Sequence, residues 1–101
     1  MCRTDAELHD ALRLTDRRAV GVREARKQLE RGRVERVIVA RDAEPDVTVD
    51  LVREAKVRGV AVDYTDSMIE LGRACGIQVG AAAAALLRAD GDVESQTASG
   101  R

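Results

Sequence analysis

The strongest constraint on this chain is its lack of aromatic residues. Tyr64 is the only aromatic side chain among 101 residues, while residues of the apolar set make up 45% of the chain. That apolar content exceeds what is typical of disordered chains, so the protein must fold around a tightly layered core of aliphatic side chains. At this length we expect one domain that buries roughly 60% of its unfolded surface. The same shortage of rings argues against RNA-recognition sheets that stack bases on aromatic side chains.

The N-terminal sequence and the cysteines indicate a cytoplasmic protein. The chain has no run of about 18 apolar residues, and charged side chains occur throughout its first 15 residues. We therefore expect neither a membrane span nor a secretory signal. We interpret Cys2 and Cys75 as two free thiols in a reducing compartment, with a disulfide as the alternative. Because His9 is the only histidine and no other His or Cys lies near it at ligand spacing, we expect no metal and no other cofactor.

Positive charge is concentrated in one part of a nearly neutral chain. The formal net charge is −1, yet residues 13–41 contain ten Lys and Arg against four Asp and Glu. Fifteen of the 17 basic residues are arginine, whose planar guanidinium suits phosphate and guanine better than an ammonium group does. A basic segment in a neutral protein indicates an anionic partner on one face. The alternative is a solvated helix surface balanced by acidic neighbours.

Helices and strands are predicted to alternate along the chain. Apolar residues at helical spacing, the helix-starting Pro45 and the S-x-x-E sequence that begins at Ser67 mark four helices, with Leu14 on the apolar face of the first. Runs of β-branched residues mark the strands. The predicted helices cover 5–17, 22–31, 45–58 and 67–75, and the strands cover 34–40 and 60–65, with a short strand at 19–21 left open. This alternation predicts an α/β protein, a three-layer α/β/α sandwich.

Two C-terminal segments have less regular patterns. Residues 77–87 contain five consecutive alanines, which favour a helix by propensity. Small residues also suit a strand that is covered on both faces, and the preceding alternation leaves a sheet that lacks a strand. We therefore predict a loop to Gly80 and a strand from about Ala83. The domain is predicted to span residues 1–88, and the polar, aperiodic residues 89–101 are predicted to be a disordered tail.

Three segments in a fixed order resemble a known family. They are GVREARK (21–27), VERVIVARDAEP (34–45) and ELGRACGIQVGAAAAAL (70–86). Together they are similar to the kink-turn RNA-binding ribosomal proteins of the L-seven-Ae/L-thirty-e superfamily, and most of all to its short bacterial branch. The resemblance covers roughly residues 8–88. It implies an L-thirty-e-like fold with a mixed four-stranded sheet, and a non-enzymatic protein that binds RNA containing a kink-turn.

A kink-turn offers base edges that a regular RNA helix hides. It is an internal loop with tandem sheared G·A pairs and a sharply bent backbone. A sheared pair uses the sugar edge of guanine and leaves the Watson–Crick edge and N7 open. The acceptors O6 and N7 match Lys or Arg, and the N1–H and N2–H donors match a carboxylate. In A-form RNA the narrow major groove hides these groups, so only a kinked or bulged element presents them to a protein.

The predicted helix that begins at Val22 carries such side chains on one face. On a helical wheel Val22, Ala25 and Leu29 span about 60° and face the core, while one carboxylate and three cations lie opposite. Where this chain has Val22 and Arg23, family members often have Thr and Asn or Lys. The residues of this segment that the resemblance assigns to RNA contact are Gly21, Val22, Arg23, Glu24, Lys27 and Arg31.

The loop after the fourth helix is the second predicted part of the site. Its glycines, Gly72, Gly76 and Gly80, are interpreted as making it flexible. Its apolar tip resembles the family's loop that packs on the nucleotide flipped out of the kink. The alternative is that Ile77 and Val79 are core residues at a helix–strand junction. The resemblance assigns RNA contact here to Gly76, Ile77, Gln78 and Val79.

Three classes of function are considered for this sequence: an RNA-binding protein, a protein-interaction module and an enzyme. The leading expectation is a ribosomal-type RNA-binding protein, and the alternative is a protein-interaction or stress-regulatory module on the same fold. An enzyme is not expected, because the sequence contains no His-based pair, metal cluster, GxGxxG or P-loop. We expect a monomer whose partner is a structured ribosomal or regulatory RNA with a kink-turn. Neither a membrane nor a small-molecule substrate is expected.

Overall fold

The computed structural model describes residues 5–88 of the chain, and these form four helices and four strands. In chain order the elements are α1 (Asp5–Arg13), β1 (Arg18–Val20), α2 (Val22–Glu30), β2 (Val34–Ala40), α3 (Pro45–Val57), β3 (Ala61–Thr65), α4 (Met68–Ala74) and β4 (Ala83–Leu87). The predicted alternation of helices and strands is confirmed. None of the helices within residues 5–88 is long and apolar enough to cross a membrane. The predicted tail at 89–101 lies outside the described residues.

The four strands form one mixed sheet in the order β1-β4-β2-β3. β2 and β3 are parallel, whereas β4 runs antiparallel to both of its neighbours, β1 and β2. Ala84 pairs with Val20 on one side and with Ile38 on the other. β4 is therefore an inner strand, and it begins at the edge of the sheet where β1 and β2 end.

Two helices cover each face of the sheet. On one face Leu12 of α1 and Leu71 of α4 belong to one buried cluster. On the other face Leu29 of α2 and Leu51 of α3 belong to a second cluster. Neither cluster contains an aromatic residue, and Tyr64 is 39% exposed. The predicted three-layer sandwich with an aliphatic core is confirmed.

β4 is built from the alanine run that helix propensity alone would assign to a helix. Ala83, Ala84 and Ala85 are fully buried. Ala84 faces the cluster beneath α1 and α4, whereas Ala83 and Ala85 face the cluster beneath α2 and α3. Their methyl groups occupy little space, so helices can pack on both faces of this strand. The prediction of a loop to Gly80 followed by a strand is confirmed, because tertiary packing outweighs the propensity of alanine for a helix.

The first helix is shorter than the sequence pattern predicts. We expected it to reach Arg17 with Leu14 on its apolar face, but α1 ends before Leu14, whose side chain is 83% exposed. The Thr15 hydroxyl accepts a hydrogen bond from the Arg17 N–H at 3.0 Å. The guanidinium of Arg18 donates to the carbonyl oxygens of Leu12 and Thr15. Such local side-chain bonds to the backbone compete with helical hydrogen bonds, and here they end the helix.

The other predicted element ends lie close to the observed ones. α3 begins at Pro45, as expected for the first position of a helix. The Ser67 hydroxyl accepts hydrogen bonds from the N–H groups of Ile69 and Glu70 at 3.1 and 3.3 Å, which confirms Ser67 as the N-cap of α4. The short strand that the sequence left open is present as β1, which pairs with β4.

Candidate nucleic-acid interface

α2 begins from a glycine at the edge of the sheet. Gly21 has φ 93° and ψ 157°, a conformation that side-chain-bearing residues avoid. Its N–H donates to the carbonyl oxygen of Ala83 at 2.8 Å, which ties the start of α2 to the start of β4. No side chain caps this helix start, and a Cβ at Gly21 would have no neighbour within 4 Å. The first N–H groups of α2, which lack partners inside the helix, can therefore be approached by a ligand.

The two faces of α2 are as predicted. Ala25 and Leu29 are buried against the sheet and α3, and Val22 is half-buried in the same cluster. The opposite face is exposed, and within residues 5–88 its three cations form no ion pair. The exposed side chains are Arg23, Glu24, Lys27 and Arg31.

These four side chains do not all lie together. At 1.5 Å per residue, Arg23, Glu24 and Lys27 fall within about 6 Å along the helix axis. Arg31 is the C-cap residue of α2 and lies about 10 Å beyond Glu24 along that axis. The structure therefore brings the first three together near the start of α2 and places Arg31 at its other end.

One side chain that the sequence analysis did not identify contacts this group. Nε2 of Gln28 donates to Oε2 of Glu24 at 3.0 Å. Residues four apart are neighbours on a helix surface, and Gln–Glu is a favourable pair at this spacing. The i,i+4 spacing was the signal that could have identified Gln28.

The loop after α4 folds back along that helix. Gly76, with φ 84°, reverses the chain at the helix end. The N–H of Ile77 then donates to the carbonyl oxygen of Gly72 at 3.0 Å, and the N–H of Ala81 donates to that of Met68 at 2.9 Å. Residues 76–80, from the turn at Gly76 to the residue before Ala81, are hereafter the α4–β4 loop.

The two apolar side chains of the α4–β4 loop have different surroundings. Ile77 is half-buried and packs against the core cluster beneath α1 and α4. Val79 is 70% exposed, and Gln78 beside it is exposed as well. The structure supports the core interpretation for Ile77, while Val79 forms an exposed apolar tip.

Gly72 and Gly80 allow close packing rather than flexibility. A Cβ on Gly72, which is buried in α4, would lie 2.0 Å from the carbonyl oxygen of Val79. A Cβ on Gly80 would lie 3.2 Å from the Cβ of Met68. The α4–β4 loop can approach α4 this closely because neither glycine has a side chain. The interpretation of these two glycines as flexible is corrected accordingly.

Arg18 bonds the end of α4 to the end of α1. Its Nε donates to the carbonyl oxygen of Cys75 at 3.2 Å. Its Nη1 donates to the carbonyl oxygens of Leu12, in the last turn of α1, and of Thr15, just after that helix. One guanidinium thus bonds the ends of two helices, where the helix dipole favours positive charge. Arg18 was not among the site residues predicted from the sequence. No local pattern marks it, because its partner Cys75 lies 57 residues away.

Cys75 is a packing residue of the core. It is 3% exposed and belongs to the cluster beneath α1 and α4. Burial raises the pKa of its thiol, and the nearby Arg18 charge opposes only part of that rise, so the thiol stays protonated at neutral pH. Within residues 5–88, no group of three or more His, Cys, Asp or Glu side chains is placed to hold a metal ion.

The two predicted parts of the site lie at the same end of the sheet. Gly21 is hydrogen-bonded to Ala83, and the α4–β4 loop ends at Gly80, three residues before Ala83. Three residues span at most about 11 Å. The start of α2 and the end of the α4–β4 loop therefore lie at the same end of the sheet.

This fold, with its charged helix start beside a glycine-rich loop, is that of a known family. The chain belongs to the ribosomal protein L7Ae/L30e/S12e/Gadd45 family, whose model matches residues 6–95. The resemblance drawn from the sequence is thereby confirmed, together with the mixed four-stranded sheet that it implied.

Three proteins similar to this chain are RNA-binding or ribosomal proteins. An RNA-binding protein of Bacillus pumilus is 43% identical over 68 residues, covering 67% of this chain and 83% of that protein. The large ribosomal subunit protein eL8 of Haloquadratum walsbyi is 38% identical over 82 residues, covering 77% of this chain and 68% of that protein. The solved structure of the Giardia lamblia 15.5kD RNA binding protein aligns with a TM-score of 0.78 and 31% identity, covering 84% of this chain and 74% of that one. These relatives confirm the expectation of a non-enzymatic protein.

We expect Gly72→Ala to destabilise the domain by about 1–3 kcal/mol, as overpacking of a tight contact does. The new methyl group would overlap the carbonyl oxygen of Val79 and displace the α4–β4 loop. The roughly 1 kcal/mol by which alanine favours a helix over glycine offsets only part of the overpacking cost, so the net change should still be destabilising. Urea unfolding measures the change, and Arg73→Ala, at the exposed neighbouring position, should change stability by less than about 0.5 kcal/mol. A Gly72→Ala protein as stable as the wild type would show that the loop does not pack on α4.

Proposed function

We propose that this chain binds RNA containing a kink-turn and stabilises the bent form by binding it in preference to the extended form. The observation that carries the proposal is the exposed group of one carboxylate and two cations at the start of α2, Glu24 with Arg23 and Lys27. Membership of the family and the RNA-binding names of its relatives support it.

Glu24 and Lys27 match the open edge of a guanine in a sheared G·A pair. The carboxylate can accept from N1–H and N2–H, and the ammonium can donate to O6 or N7. Three residues apart, the two side chains are neighbours on one helix face. A surface that bound RNA through charge alone would gain nothing from a carboxylate, because a carboxylate repels phosphate. The presence of Glu24 among cations therefore favours base recognition.

Phosphate contacts are proposed at both ends of α2. At its start, the N–H groups without helical partners and the positive end of the helix dipole attract an anion. Gly21 has no side chain to block an approaching backbone. Arg23 beside it can donate to phosphate or to guanine. Arg31, at the other end, is proposed to contact a phosphate of the flanking stem.

The α4–β4 loop is proposed to cover the nucleotide that the kink expels. Val79 is 70% exposed, so an unstacked base can pack on it and remove apolar surface from water. Gln78 supplies an exposed amide that can hydrogen-bond the nucleotide. Gly76 provides the turn and the half-buried Ile77 anchors it, so both are proposed to shape the contact.

The proposed binding unit is a single copy of the chain. Every side chain invoked comes from α2 or the α4–β4 loop of that copy. We propose that it acts in the cytoplasm, since Cys75 is a free thiol, as is usual in a reducing compartment.

The Glu24→Ala variant separates base recognition from charge attraction. Loss of the carboxylate leaves the guanine donors unpaired, so kink-turn binding should weaken by about 1–3 kcal/mol. Binding to a straight duplex should stay equal or tighten slightly, because a repulsive charge is gone. Both affinities are measured by gel shift at one salt concentration, since phosphate contacts vary steeply with salt. The wild type should bind the kink-turn RNA roughly tenfold or more tighter than the duplex, a difference of about 1.4 kcal/mol.

Glu30→Ala is the matched control, because it removes another exposed carboxylate from the same helix. It should leave the ratio of the two affinities unchanged. If Glu24→Ala strengthens binding to both RNAs alike, Glu24 is an ordinary surface charge. Equal affinity of the wild type for both RNAs would contradict the proposed function as a whole.

The Lys27→Ala variant should weaken kink-turn binding by about 1–3 kcal/mol, the usual value of a guanine contact. Lys27 lies opposite the buried face of α2, so stability should change by less than about 0.5 kcal/mol. Lys56→Ala, which removes the other lysine of the chain from the end of α3, should have little effect on either quantity. Isothermal titration calorimetry measures the RNA affinity, and thermal unfolding measures the stability of the protein. A destabilised Lys27→Ala protein with unchanged RNA affinity would mean that the faces of α2 are assigned wrongly.

A further inference from the structure

We infer that Gln28 is a positioning residue for RNA recognition: its side-chain amide holds the Glu24 carboxylate in the orientation that a guanine edge requires. The inference rests on the proposed function and adds a residue to it. Gln28 itself lies beside, not within, the exposed face that carries Glu24 and Lys27.

The two ends of the Gln28 side chain have different surroundings. Its Nε2 donates to Oε2 of Glu24 at 3.0 Å. Its Oε1 is buried and has no hydrogen-bond partner among the described residues. The amide is therefore packed against the domain on one side and directs its donor at the carboxylate on the other. The opposite amide orientation would place Oε1 against Glu24, where an acceptor would face an acceptor.

The bond to Gln28 leaves Glu24 able to accept from a base. A carboxylate has two oxygens with about four acceptor positions. Gln28 occupies one position on Oε2, so Oε1 and the remaining position on Oε2 can accept from N1–H and N2–H of a guanine. The contact to the protein and the contact to RNA are therefore compatible.

A fixed carboxylate binds at a lower entropic cost than a mobile one. Glutamate has one of the larger side-chain entropies, and an exposed Glu24 without Gln28 would have to lose that freedom when RNA binds. With Gln28 in place, much of this freedom is already lost in the unbound protein. The alternative is an ordinary helix-stabilising pair, which would affect folding and leave RNA selectivity unchanged.

The Gln28→Met variant of the full chain tests this inference in RNA binding. Methionine keeps the length and packing of the side chain and removes the donor. We expect three- to tenfold weaker binding to a kink-turn RNA, with unchanged affinity for the same RNA after its G·A pairs are replaced by Watson–Crick pairs. In a Glu24→Ala background the Gln28→Met change should have no effect, because Gln28 acts through Glu24. The Tm should stay near that of the parent protein.

Four outcomes would overturn the inference. Gln28→Met could bind the kink-turn as tightly as the wild type or more tightly, which would mean that Gln28 competes with the base. It could weaken binding to the same extent with and without Glu24, which would indicate a general structural effect. If Glu24→Ala removes the selectivity and Gln28→Met retains it, only this inference fails. If the wild type shows no selectivity, both the proposed function and this inference fail.

A measurement on the free protein tests the hydrogen bond between Gln28 and Glu24 independently of RNA binding. It therefore separates failure of this inference from failure of the proposed function. In an NMR spectrum of the free protein, the side-chain amide signals of Gln28 should differ from those of the exposed Gln78. Glu24→Ala should move the Gln28 signals towards the Gln78 positions and leave Gln78 unchanged. Gln28 signals that do not respond to Glu24→Ala would show that the hydrogen bond is absent in solution.

Discussion

The buried alanine strand β4 is the feature on which the rest of this structure depends. Because Ala83, Ala84 and Ala85 carry only methyl groups, helices pack closely on both faces of an inner strand. A domain without core aromatics needs such close layers to exclude water. The same strand locates the candidate site: Ala83 accepts the hydrogen bond from Gly21 at the start of α2, and the α4–β4 loop leads directly into it. The packing of the core and the position of the candidate site thus both depend on β4.

In α2 and in the α4–β4 loop, the side chains that pack in the core and those proposed to contact RNA lie on different faces. α2 buries Leu29 and exposes Glu24, so the side chains proposed to contact RNA are displayed from a helix that the core already holds in place. The α4–β4 loop follows the same principle, because Ile77 anchors it while Val79 remains exposed. Arg18 bonds the end of α4 to the end of α1. A site supported in this way is ordered before its ligand arrives, which lowers the entropic cost of binding.

The elements that could be predicted from the sequence are those set by local patterns. Ser67 caps α4, and the apolar spacing of α2 predicted its exposed face, because caps and helical periodicity depend on residues a few positions apart. The contact of Arg18 with Cys75 could not be predicted, since it joins distant segments. Gly72 was identified as part of the loop motif but with the wrong role, because its reason is a tertiary contact. The early end of α1 was missed because the Thr15 hydroxyl competes with the helix.

Recognition and stabilisation of a kinked RNA by this chain can be tested by following the bend itself. Fluorescence energy transfer between dyes on the two stems of a kink-turn RNA reports their separation, and without Mg²⁺ the free RNA should be largely extended. Adding the full chain should raise the transfer to a plateau. An RNA whose G·A pairs are replaced by Watson–Crick pairs should show no rise at the same concentrations. Binding to the intact RNA without a rise in transfer, or an equal rise with both RNAs, would contradict the proposal that this chain recognises and stabilises the kink.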